Sequence, residues 1–427
     1  MTHWAPYSAL AWLGHTGLVD ADVVVIGAGA LGLSTALHCA LAGRSVVVTE
    51  RHAAGSQASG RAAGLFKSVQ ADELRTRLAR RSIAQAVTFA DWAGVPLEVA
   101  RPGSFLVART AGHAGFLRQE LAQSRRWGAE VREAEPGQLA GLSYYRPAGD
   151  HFALWCPEDV YIEESASLVA AYLAACRLHG AVVTENDPVV GIPVTNGRVL
   201  GVETASGPVT APVVVDAAGG WVSQVAALAG AYVPVAPVRH QLLITEPDPG
   251  VDPADPITRV VDAAVYLRPA RGGLMAGGFE AGPLPLDPRD QPSSFTTDDV
   301  PLDLSVLRRL AAQVSAEAPA AVGPVAEHRG GLFTMSPDGR FVAGPVPGVA
   351  GLWVASGCNG SGFSSSPAIG EALATWITTG SPPGGVQALS PARFDRVPDG
   401  ALITHGIWQY AHYYDPGASA PAPPVPE

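Results

Sequence analysis

Three glycines near the start of the chain have a spacing that suits the binding of a phosphate group. They are Gly27, Gly29 and Gly32, in the sequence Gly-Ala-Gly-Ala-Leu-Gly, and they follow an apolar run at 22–26. In this arrangement the first glycine permits a tight turn, the second lets a pyrophosphate approach the backbone, and the third lets a helix pack against the strand. The N–H groups and the positive end of that helix favour phosphate charge. The motif predicts a dinucleotide-binding turn.

The elements predicted around this turn place a carboxylate where a nucleotide ribose requires one. A β-branched run at 45–49 predicts a second strand, and an alanine-rich helix at 31–42 joins it to the first. Glu50 ends that strand, 18 residues after Gly32, and a carboxylate there accepts hydrogen bonds from ribose hydroxyls. This is a βαβ unit with buried parallel strands. The unit is compatible with either FAD or NAD, but the negative charge of Glu50 disfavours the 2′-phosphate of NADP.

The sequence pattern changes between residues 233 and 325, where prolines are frequent and the predicted strands are short. We interpret this region as a second, mainly antiparallel β domain that shapes a substrate pocket. The predicted fold class is α/β (α+β overall), with a Rossmann-like nucleotide-binding domain beside that second domain. The predicted division is an N-terminal extension at 1–20, a discontinuous nucleotide-binding domain at 21–101, 156–232 and 326–385, a substrate domain at 102–155 and 233–325, a C-terminal arm at 386–416 and a disordered tail at 417–427.

Hydrophobic patterns predict the remaining elements. An amphipathic pattern predicts a helix at 162–178, and alternation around Ser206 and Gly207 predicts a β-hairpin. The other predicted helices lie at 71–93, 117–127 and 367–378, and the other predicted strands at 102–109, 181–184, 213–216, 241–245, 264–267, 274–276 and 352–355.

Composition excludes several classes of function. The 427 residues carry a formal net charge of -11, which argues against nucleic acid and anionic membrane as partners. No apolar run reaches the roughly 18 residues of a membrane helix. The first 20 residues contain no Lys or Arg, unlike a secretory signal, so we expect a cytoplasmic protein. The four cysteines form no CxxC pair and the histidines no HExxH, so nothing predicts a metal.

Four further blocks of sequence, spread along the chain, each resemble a segment found in one protein family. With the βαβ unit, they resemble the D-amino-acid-oxidase superfamily of flavoproteins, and within it the sarcosine oxidase and dimethylglycine dehydrogenase branch. The resemblance extends from about residue 22 to 414 and implies FAD as the cofactor. The blocks are Gly-Ser-Gln-Ala-Ser-Gly-Arg-Ala-Ala-Gly-Leu at 55–65, 200–204 with 213–221, the segments 239–241, 266–268 and 277–280, and the segments 329–332, 336–339 and 357–363.

The resemblance also implies which residues surround the FAD. The loop at 55–65 runs along the flavin in this family, and the turn at 357–363 brings backbone donors to the pyrimidine edge of its ring, where they stabilise negative charge. The cofactor-binding set that the motif and the resemblance predict together is Gly27, Gly29, Ala30, Leu31, Gly32, Glu50, Arg51, Ser59, Arg61, Ala62, Ala63, Gly64, Leu65, Val189, Ala218, Gly219, Trp221, Gly331, Gly357, Asn359, Gly360, Gly362, Phe363 and Ser364.

Departures from the family pattern concern how the flavin is held and reoxidised. Relatives tether the flavin through a histidine that matches Arg61 here, or through a cysteine that matches Leu332 or Phe333. We therefore expect non-covalent FAD. Monomeric sarcosine oxidases carry a lysine over the flavin that helps to activate oxygen, and Met275 matches it. This replacement weakens the case for fast reaction with oxygen and leaves the electron acceptor open.

The chemistry that the resemblance implies is oxidation of a C–N bond, with hydride transfer from a neutral amine to flavin N5 and hydrolysis of the resulting imine. The protein must hold the reacting carbon, keep the amine unprotonated and exclude water. In the dimethylglycine branch a histidine and a tyrosine line the pocket, and they match His240 and Tyr266. Packed core positions are the alternative for both residues.

A substrate carboxylate would need a cation, and an Arg guanidinium suits bidentate binding. The substrate-binding candidates are Arg239, Arg268 and Met275. Other cations in or next to these blocks are Arg61, Lys67, Arg271 and Arg329, and most such side chains are solvated surface charges.

Three functional hypotheses remain open from the sequence. The leading one is an FAD-dependent oxidase or dehydrogenase of a secondary or tertiary amine, such as an N-methylated or cyclic amino acid, with oxygen or another acceptor. The second is a primary-amine oxidase of the glycine or D-amino-acid type. The third is the flavin subunit of a heteromeric amine dehydrogenase, for which the replacement of the lysine by Met275 and the aromatic C-terminal stretch at 408–414 leave room.

Overall fold

A computed structural model describes residues 19–135 and 137–414, so the predicted tail at 417–427 and nearly all of the predicted extension at 1–20 lie outside the described residues. The α-helices are α1 (Ala30–Leu41), α2 (Glu73–Val87), α3 (Phe89–Ala93), α4 (Ala111–Arg126), α5 (Ser165–Leu178), α6 (Val222–Ala227), α7 (Leu304–Ala312), α8 (Gly362–Thr379) and α9 (Asp399–Ala411).

Strands account for most of the remaining regular structure of the described chain. They are β1 (Val19–Asp20), β2 (Val23–Ile26), β3 (Val46–Thr49), β4 (Leu65–Phe66), β5 (Ser104–Ala108), β6 (Arg132–Glu133), β7 (Phe152–Cys156), β8 (Val160–Tyr161), β9 (Val182–Thr184), β10 (Val189–Gly191), β11 (Val194–Thr195), β12 (Arg198–Val199), β13 (Gly201–Thr204), β14 (Gly207–Thr210), β15 (Val213–Asp216), β16 (Ala236–Thr245), β17 (Ile257–Val260), β18 (Val265–Ala270), β19 (Gly273–Gly278), β20 (Val325–Met335), β21 (Val342–Pro345) and β22 (Leu352–Ser356).

The first large sheet carries the glycine turn. Among the described residues it has six strands in the order β21-β22-β15-β2-β3-β9, and every pair is parallel except β21 with β22. The central strands β2, β3 and β15 are runs of valine because both of their faces are buried. Helices α1, α5 and α8 cover one face through a core that includes Leu37, Tyr172 and Leu373. The predicted βαβ unit and the Rossmann-like part of the fold class are confirmed.

The second large sheet lies in the region of short strands and prolines. Within the described chain it has eight strands in the order β20-β16-β19-β18-β17-β5-β7-β6, antiparallel except for β17 with β5. The predicted mainly antiparallel character is confirmed. Strand β20, which we assigned to the nucleotide-binding domain, pairs along its length with β16 of this sheet. The proposed domain division therefore has a boundary at residue 326 that falls inside a strand.

The helix predicted at 117–127 begins six residues earlier, at Ala111, and two other predicted helices differ from the observed ones for local reasons. The helix predicted at 71–93 is divided into α2 and α3 at Thr88, whose hydroxyl donates to the Ala84 carbonyl. The helix predicted at 367–378 begins five residues earlier, at Gly362, and Pro367 lies inside it. Proline lacks the N–H that would bond to the carbonyl of Phe363, and the Ser366 hydroxyl donates to that oxygen at 2.9 Å instead. None of the described helices combines the length and the apolar character needed to cross a membrane.

Candidate functional site

A cavity of about 470 Å³ lies between the two large sheets. The nucleotide turn and the loop at 57–65 form one side, and strands β16–β20 of the second sheet form the floor. The turn after β15 and the first turn of α8 close the remaining sides. Both large sheets therefore contribute to one site.

The glycine turn is shaped by close backbone approaches that leave no room for side chains. Gly27 has φ +103°, and a Cβ there would lie 2.7 Å from the Ala217 carbonyl oxygen. A Cβ on Gly32 would lie 2.0 Å from the Gly27 carbonyl oxygen, so this glycine lets α1 pack onto the turn. The Ser59 hydroxyl accepts a hydrogen bond from the Ala30 N–H at the start of α1. This cradle fits a pyrophosphate, since the open first turn of α1 offers N–H donors.

Glu50 lies at the end of the cavity where the ribose is expected. Its carboxylate accepts hydrogen bonds from the Ala28 N–H at 2.8 Å and the His52 N–H at 2.9 Å, which fix its position. Beside it, the Arg51 guanidinium lies 4.7 Å from the centre of the Trp221 ring, and both residues line the cavity. A carboxylate and a flat aromatic wall suit an adenosine.

Most of the predicted cofactor-binding residues line this one cavity, although they lie far apart in the sequence. Three do not line it. Gly32 lies behind the turn, Gly357 takes φ +58° against Val342, and the Asn359 side chain bonds to Ser336 and to the Gly357 carbonyl. Those that line it are Gly27, Gly29, Ala30, Leu31, Glu50, Arg51, Ser59, Arg61, Ala62, Ala63, Gly64, Leu65, Val189, Ala218, Gly219, Trp221, Gly331, Gly360, Gly362, Phe363 and Ser364.

One cross-strand row forms the floor of the cavity. Arg329, Leu242, Gly277, Tyr266 and Arg259 oppose one another in register across five neighbouring strands, so they share a face of the sheet. A Cβ on Gly277 would lie 2.2 Å from the Tyr266 hydroxyl oxygen, so the glycine leaves space for the phenol to lie across β19. The other four residues all line the cavity.

The two predicted catalytic residues are brought together on this floor. His240 Nε2 lies 2.9 Å from the Tyr266 hydroxyl, and Nδ1 lies 2.8 Å from the hydroxyl of Tyr410 on α9. The imidazole stacks on Phe333 with 4.1 Å between ring centres. Burial lowers the pKa of His240 to about 3 and raises the pKa of Tyr266 above its usual value. His240 is therefore a neutral ring that donates through one nitrogen and accepts through the other, and Tyr266 keeps its proton.

Buried His240 is expected to make the folded chain less stable in acid. Its pKa is about 3 in the folded chain, against 6.5 for an exposed histidine. Below pH 6.5 the unfolded chain binds a proton here that the folded chain does not, so the free energy of unfolding falls by up to about 1.4 kcal/mol per pH unit. The contribution is fully present above pH 6.5 and is lost progressively toward pH 3.

Urea unfolding at pH 7.5, 5.5 and 4.5 measures this effect, with His240→Gln as the comparison because glutamine is neutral throughout. We expect the free energy of unfolding to fall more steeply with acid in the unchanged protein than in the variant. Equal slopes would contradict the burial of an uncharged imidazole at this position.

The three substrate-binding candidates do not line the cavity. Arg239 donates to Glu280 and to the Pro301 carbonyl, and Arg268 donates to Glu163 and to the Ala63 carbonyl. Met275 packs in a buried apolar cluster with Leu242, Ile244, Ala270 and Ala63. Sequence reasoning selected these arginines by their blocks and could not see that acidic and carbonyl partners already occupy them.

The other cations that the sequence suggested are divided between the cavity and the surface. Arg61, Lys67 and Arg329 line the cavity. Arg61 is bonded to Asp298 at 2.5 Å, and Arg329 donates to the Ala62 carbonyl at 3.2 Å. Exposed Arg271 pairs with Glu164 and Glu327 outside it.

Several lining residues were missed by sequence reasoning. Arg259 lies on β17, a strand of four residues directly after Pro256 that no clear alternation marked. Tyr413 and Tyr414 were noted only as part of an aromatic C-terminal stretch, but both turn into the cavity, where Tyr413 stacks on Phe279 at 4.1 Å. The missed set that matters most is Gln57, Arg259, Phe279, Phe333, Tyr413 and Tyr414.

The chain matches one family model and is similar in sequence to several known proteins. The family model described as DAO, FAD dependent oxidoreductase, matches residues 22–376. The 4-methylaminobutanoate oxidase (formaldehyde-forming) of Paenarthrobacter nicotinovorans is 30% identical over 379 residues, which are 87% of this chain and 45% of that protein. Human mitochondrial sarcosine dehydrogenase is 28% identical over 404 residues, 91% of this chain and 42% of that protein. The chain thus spans less than half the length of these two curated relatives.

A solved structure supports the fold. The crystal structure of L-proline dehydrogenase from P. horikoshii superposes with a TM-score of 0.79 at 22% identity, covering 88% of this chain and 98% of that one. At this identity the likeness concerns the fold alone.

Proposed function

The chain belongs to the family of FAD dependent oxidoreductases, and on this premise we propose that it oxidises a C–N bond of a secondary or tertiary amine, such as an N-methylated or cyclic amino acid. The oxidised carbon becomes an imine carbon, and water then hydrolyses the imine to a carbonyl compound and a smaller or ring-opened amine. Bound FAD supplies the acceptor for the two electrons and the hydrogen that leave the C–N unit.

The observation that carries the proposal is the makeup of the floor beside the nucleotide cradle. Tyr266 and His240 present uncharged polar groups there, and the rings of Phe279, Phe333 and Tyr413 lie beside them. Glu50 is the acidic side chain among the described residues that line the cavity, and it lies at the nucleotide end. An amine in this floor region has no carboxylate to hold it as a cation, so desolvation by the rings favours its neutral form.

A neutral amine is the form that reacts, because its nitrogen lone pair assists loss of hydride from the adjacent carbon. We propose that the Tyr266 hydroxyl donates to His240 Nε2 and that its oxygen accepts a hydrogen bond from the N–H of a secondary amine, or contacts the nitrogen of a tertiary amine, so the lone pair stays free. Because burial keeps Tyr266 protonated and His240 neutral, neither residue brings a formal charge to the reacting atoms. Aromatic walls leave room for N-methyl groups and exclude water from the reacting carbon.

We propose that the FAD is held without a covalent bond. Arg61, at the position of the family's tethering histidine, donates to the Ser56 carbonyl and to Asp298. A guanidinium engaged in this way forms no bond to a flavin carbon. Acid precipitation tests the proposal: the yellow colour is expected in the supernatant, and colour that stays in the pellet would contradict it.

Anaerobic reduction tests the proposed reaction. Sarcosine, dimethylglycine, proline and D-alanine are added in turn to the purified holoprotein, and bleaching of the flavin's long-wavelength absorbance is followed. We expect bleaching by at least one N-alkylated or cyclic amino acid, and admitting air then separates an oxidase from a dehydrogenase. Bleaching by D-alanine alone would replace the proposal with the primary-amine reading. If none of the four compounds bleaches the flavin, the chain does not carry out the proposed oxidation without a partner. That result would favour a flavin subunit that requires a partner subunit.

A further inference from the structure

The segment between β19 and α7 connects the second sheet to the nucleotide half of the site. Both of its ends are fixed to β16. The Leu286 N–H donates to the Pro237 carbonyl at 2.9 Å, and the Pro301 carbonyl accepts a hydrogen bond from Arg239 at 2.7 Å. Between these two anchors lie residues 295–300, which we call the strap. The strap contacts the loop at 51–61, which forms part of the wall of the cofactor cavity.

The central contact of the strap is a pair of hydrogen bonds to one amide oxygen. Thr297 donates to the Gln57 side-chain oxygen from its N–H at 2.8 Å and from its hydroxyl at 2.7 Å. Both residues line the cavity, and Thr297 is buried. Gly331 on β20 adjoins this contact, and a Cβ there would lie 3.2 Å from Ala58 and 3.8 Å from the Thr297 methyl carbon. Strap, loop and floor therefore meet at Thr297.

Contacts on either side of this point extend the grip along the loop. Toward the nucleotide end, Arg51 donates to the Phe295 carbonyl at 3.4 Å, and the Phe295 ring packs in a buried cluster with Trp221. Toward the other end, the Asp298 carboxylate pairs with Arg61 at 2.5 Å. Arg51, Trp221 and Arg61 all line the cavity. The strap thus holds the loop at both ends and in the middle.

The strap is held by contacts that can open without unfolding the sheet. Every hydrogen bond from the strap to the loop that is named above involves a side chain. The Asp298 side chain is 77% exposed, so its ion pair stabilises the closed strap only weakly. Prolines at 285, 288, 292 and 301 and two short 3₁₀ turns take the place of long regular elements here. Segments of this kind open locally at low free-energy cost.

We propose that the strap retains FAD: when closed it holds the loop at 51–61 against the cofactor, and FAD leaves when the Thr297–Gln57 contact opens. Arg61 occupies the position of the family's tethering histidine, and its partner Asp298 belongs to the strap. The proposal depends on FAD as the cofactor and not on which amine is oxidised. If a closed strap favours bound FAD, bound FAD must favour the closed strap by the same factor.

A double-mutant cycle on the rate of FAD release tests the central contact. Release is followed by the rise in FAD fluorescence after dilution of the holoprotein, without any substrate. Thr297→Val removes one hydrogen bond and should speed release about fivefold, and Gln57→Ala removes both and should speed it about 20-fold. The double variant should stay within twofold of Gln57→Ala, because the hydroxyl has no partner left to lose. A further fivefold acceleration in the double variant would overturn the proposal.

Matched variants control for the loss of a hydroxyl or a charge elsewhere. Thr404→Val removes an exposed hydroxyl that donates within α9, and release from Thr297→Val at the Thr404→Val rate would reject the strap. If Thr297→Val does not fold, Asp298→Asn decides. It should release FAD at least twofold faster than Asp290→Asn, an exposed change outside the strap, and the difference should vanish in about 1 M salt. Equal rates at low salt would reject the proposal.

Hydrogen exchange gives a readout of strap closure itself. The Thr297 amide donates to Gln57, so its exchange reports whether the contact is closed. Exchange is compared between holoprotein and apoprotein for residues 295–300 and for α7, which packs on the second sheet through Leu307 and Leu310. We expect FAD to slow exchange in the strap at least tenfold more than in α7. Equal protection of the two segments would mean that FAD stabilises the chain as a whole, and the strap would lose its assigned role.

Discussion

Replacement of Tyr266 by phenylalanine is expected to slow flavin reduction by an amine by a factor of about 100, the loss expected when the reacting atoms are misplaced by about 1 Å. The variant keeps the ring that lies over Gly277 and removes only the hydroxyl, which His240 Nε2 holds at 2.9 Å. Tyr266 is on the floor sheet, not in the nucleotide cradle, so the FAD content should be unchanged. Anaerobic stopped-flow measurement of the limiting reduction rate checks the prediction.

The control for this prediction is another fully buried tyrosine. Tyr145 is 0% exposed, packs in a core outside the cavity, and loses a comparable hydroxyl in Tyr145→Phe. That variant should reduce its flavin at the unchanged rate. If Tyr266→Phe also reduces its flavin within twofold of the unchanged protein, the hydroxyl does not act on the substrate and Tyr266 is a packed core aromatic.

A second large effect is expected from Gly32→Ala, which should abolish stable FAD binding. The added Cβ would lie 2.0 Å from the Gly27 carbonyl oxygen and 3.3 Å from the Ala217 Cβ, and backbone cannot yield as a flexible side chain does. Helix α1 must then move away from the turn, and the N–H groups at its start leave the pyrophosphate position. We expect the variant to purify with less than a tenth of the FAD of the unchanged protein, measured by absorbance after gel filtration.

Gly112→Ala is the matched control, because nothing lies within 4 Å of a Cβ at this helical and exposed position. It should keep its FAD and its stability, since alanine suits a helix better than glycine. Far-UV circular dichroism shows whether Gly32→Ala folds. If it does not, Glu50→Gln tests the same cradle conservatively, and at least tenfold weaker FAD binding is expected. Full FAD content in both variants would contradict the assigned cradle.

Much of the nucleotide half of the site was predictable because its signals are local. The spacing of Gly27, Gly29 and Gly32 encodes a turn whose geometry depends on neighbours within a few residues, and Glu50 follows at a fixed distance. The family match confirms the predicted superfamily and FAD as the cofactor. The assignment of individual residues to FAD or substrate contact stays a prediction.

The substrate half of the site could not be predicted in the same way. It depends on strand register and on side-chain burial, which the sequence alone does not show. Arg239 and Arg268 stand in family-like blocks, yet Glu280 and Glu163 occupy their guanidinium groups. Arg259 stands in no such block, yet strand pairing sets it opposite Tyr266.

The sequence by itself therefore determined the βαβ unit, because a glycine turn and its flanking periodicity act over short distances along the chain. The cofactor and the family followed from the resemblance of sequence blocks to one family, which needs no tertiary structure. Only the tertiary structure decided which cations remain free to bind a ligand and which aromatic rings enclose it. Tyr410 and Tyr414, at the far end of the chain, reach His240 and Lys67 through the docking of α9 against the second sheet. Such contacts arise from the packing of elements distant in sequence, and no local pattern specifies them.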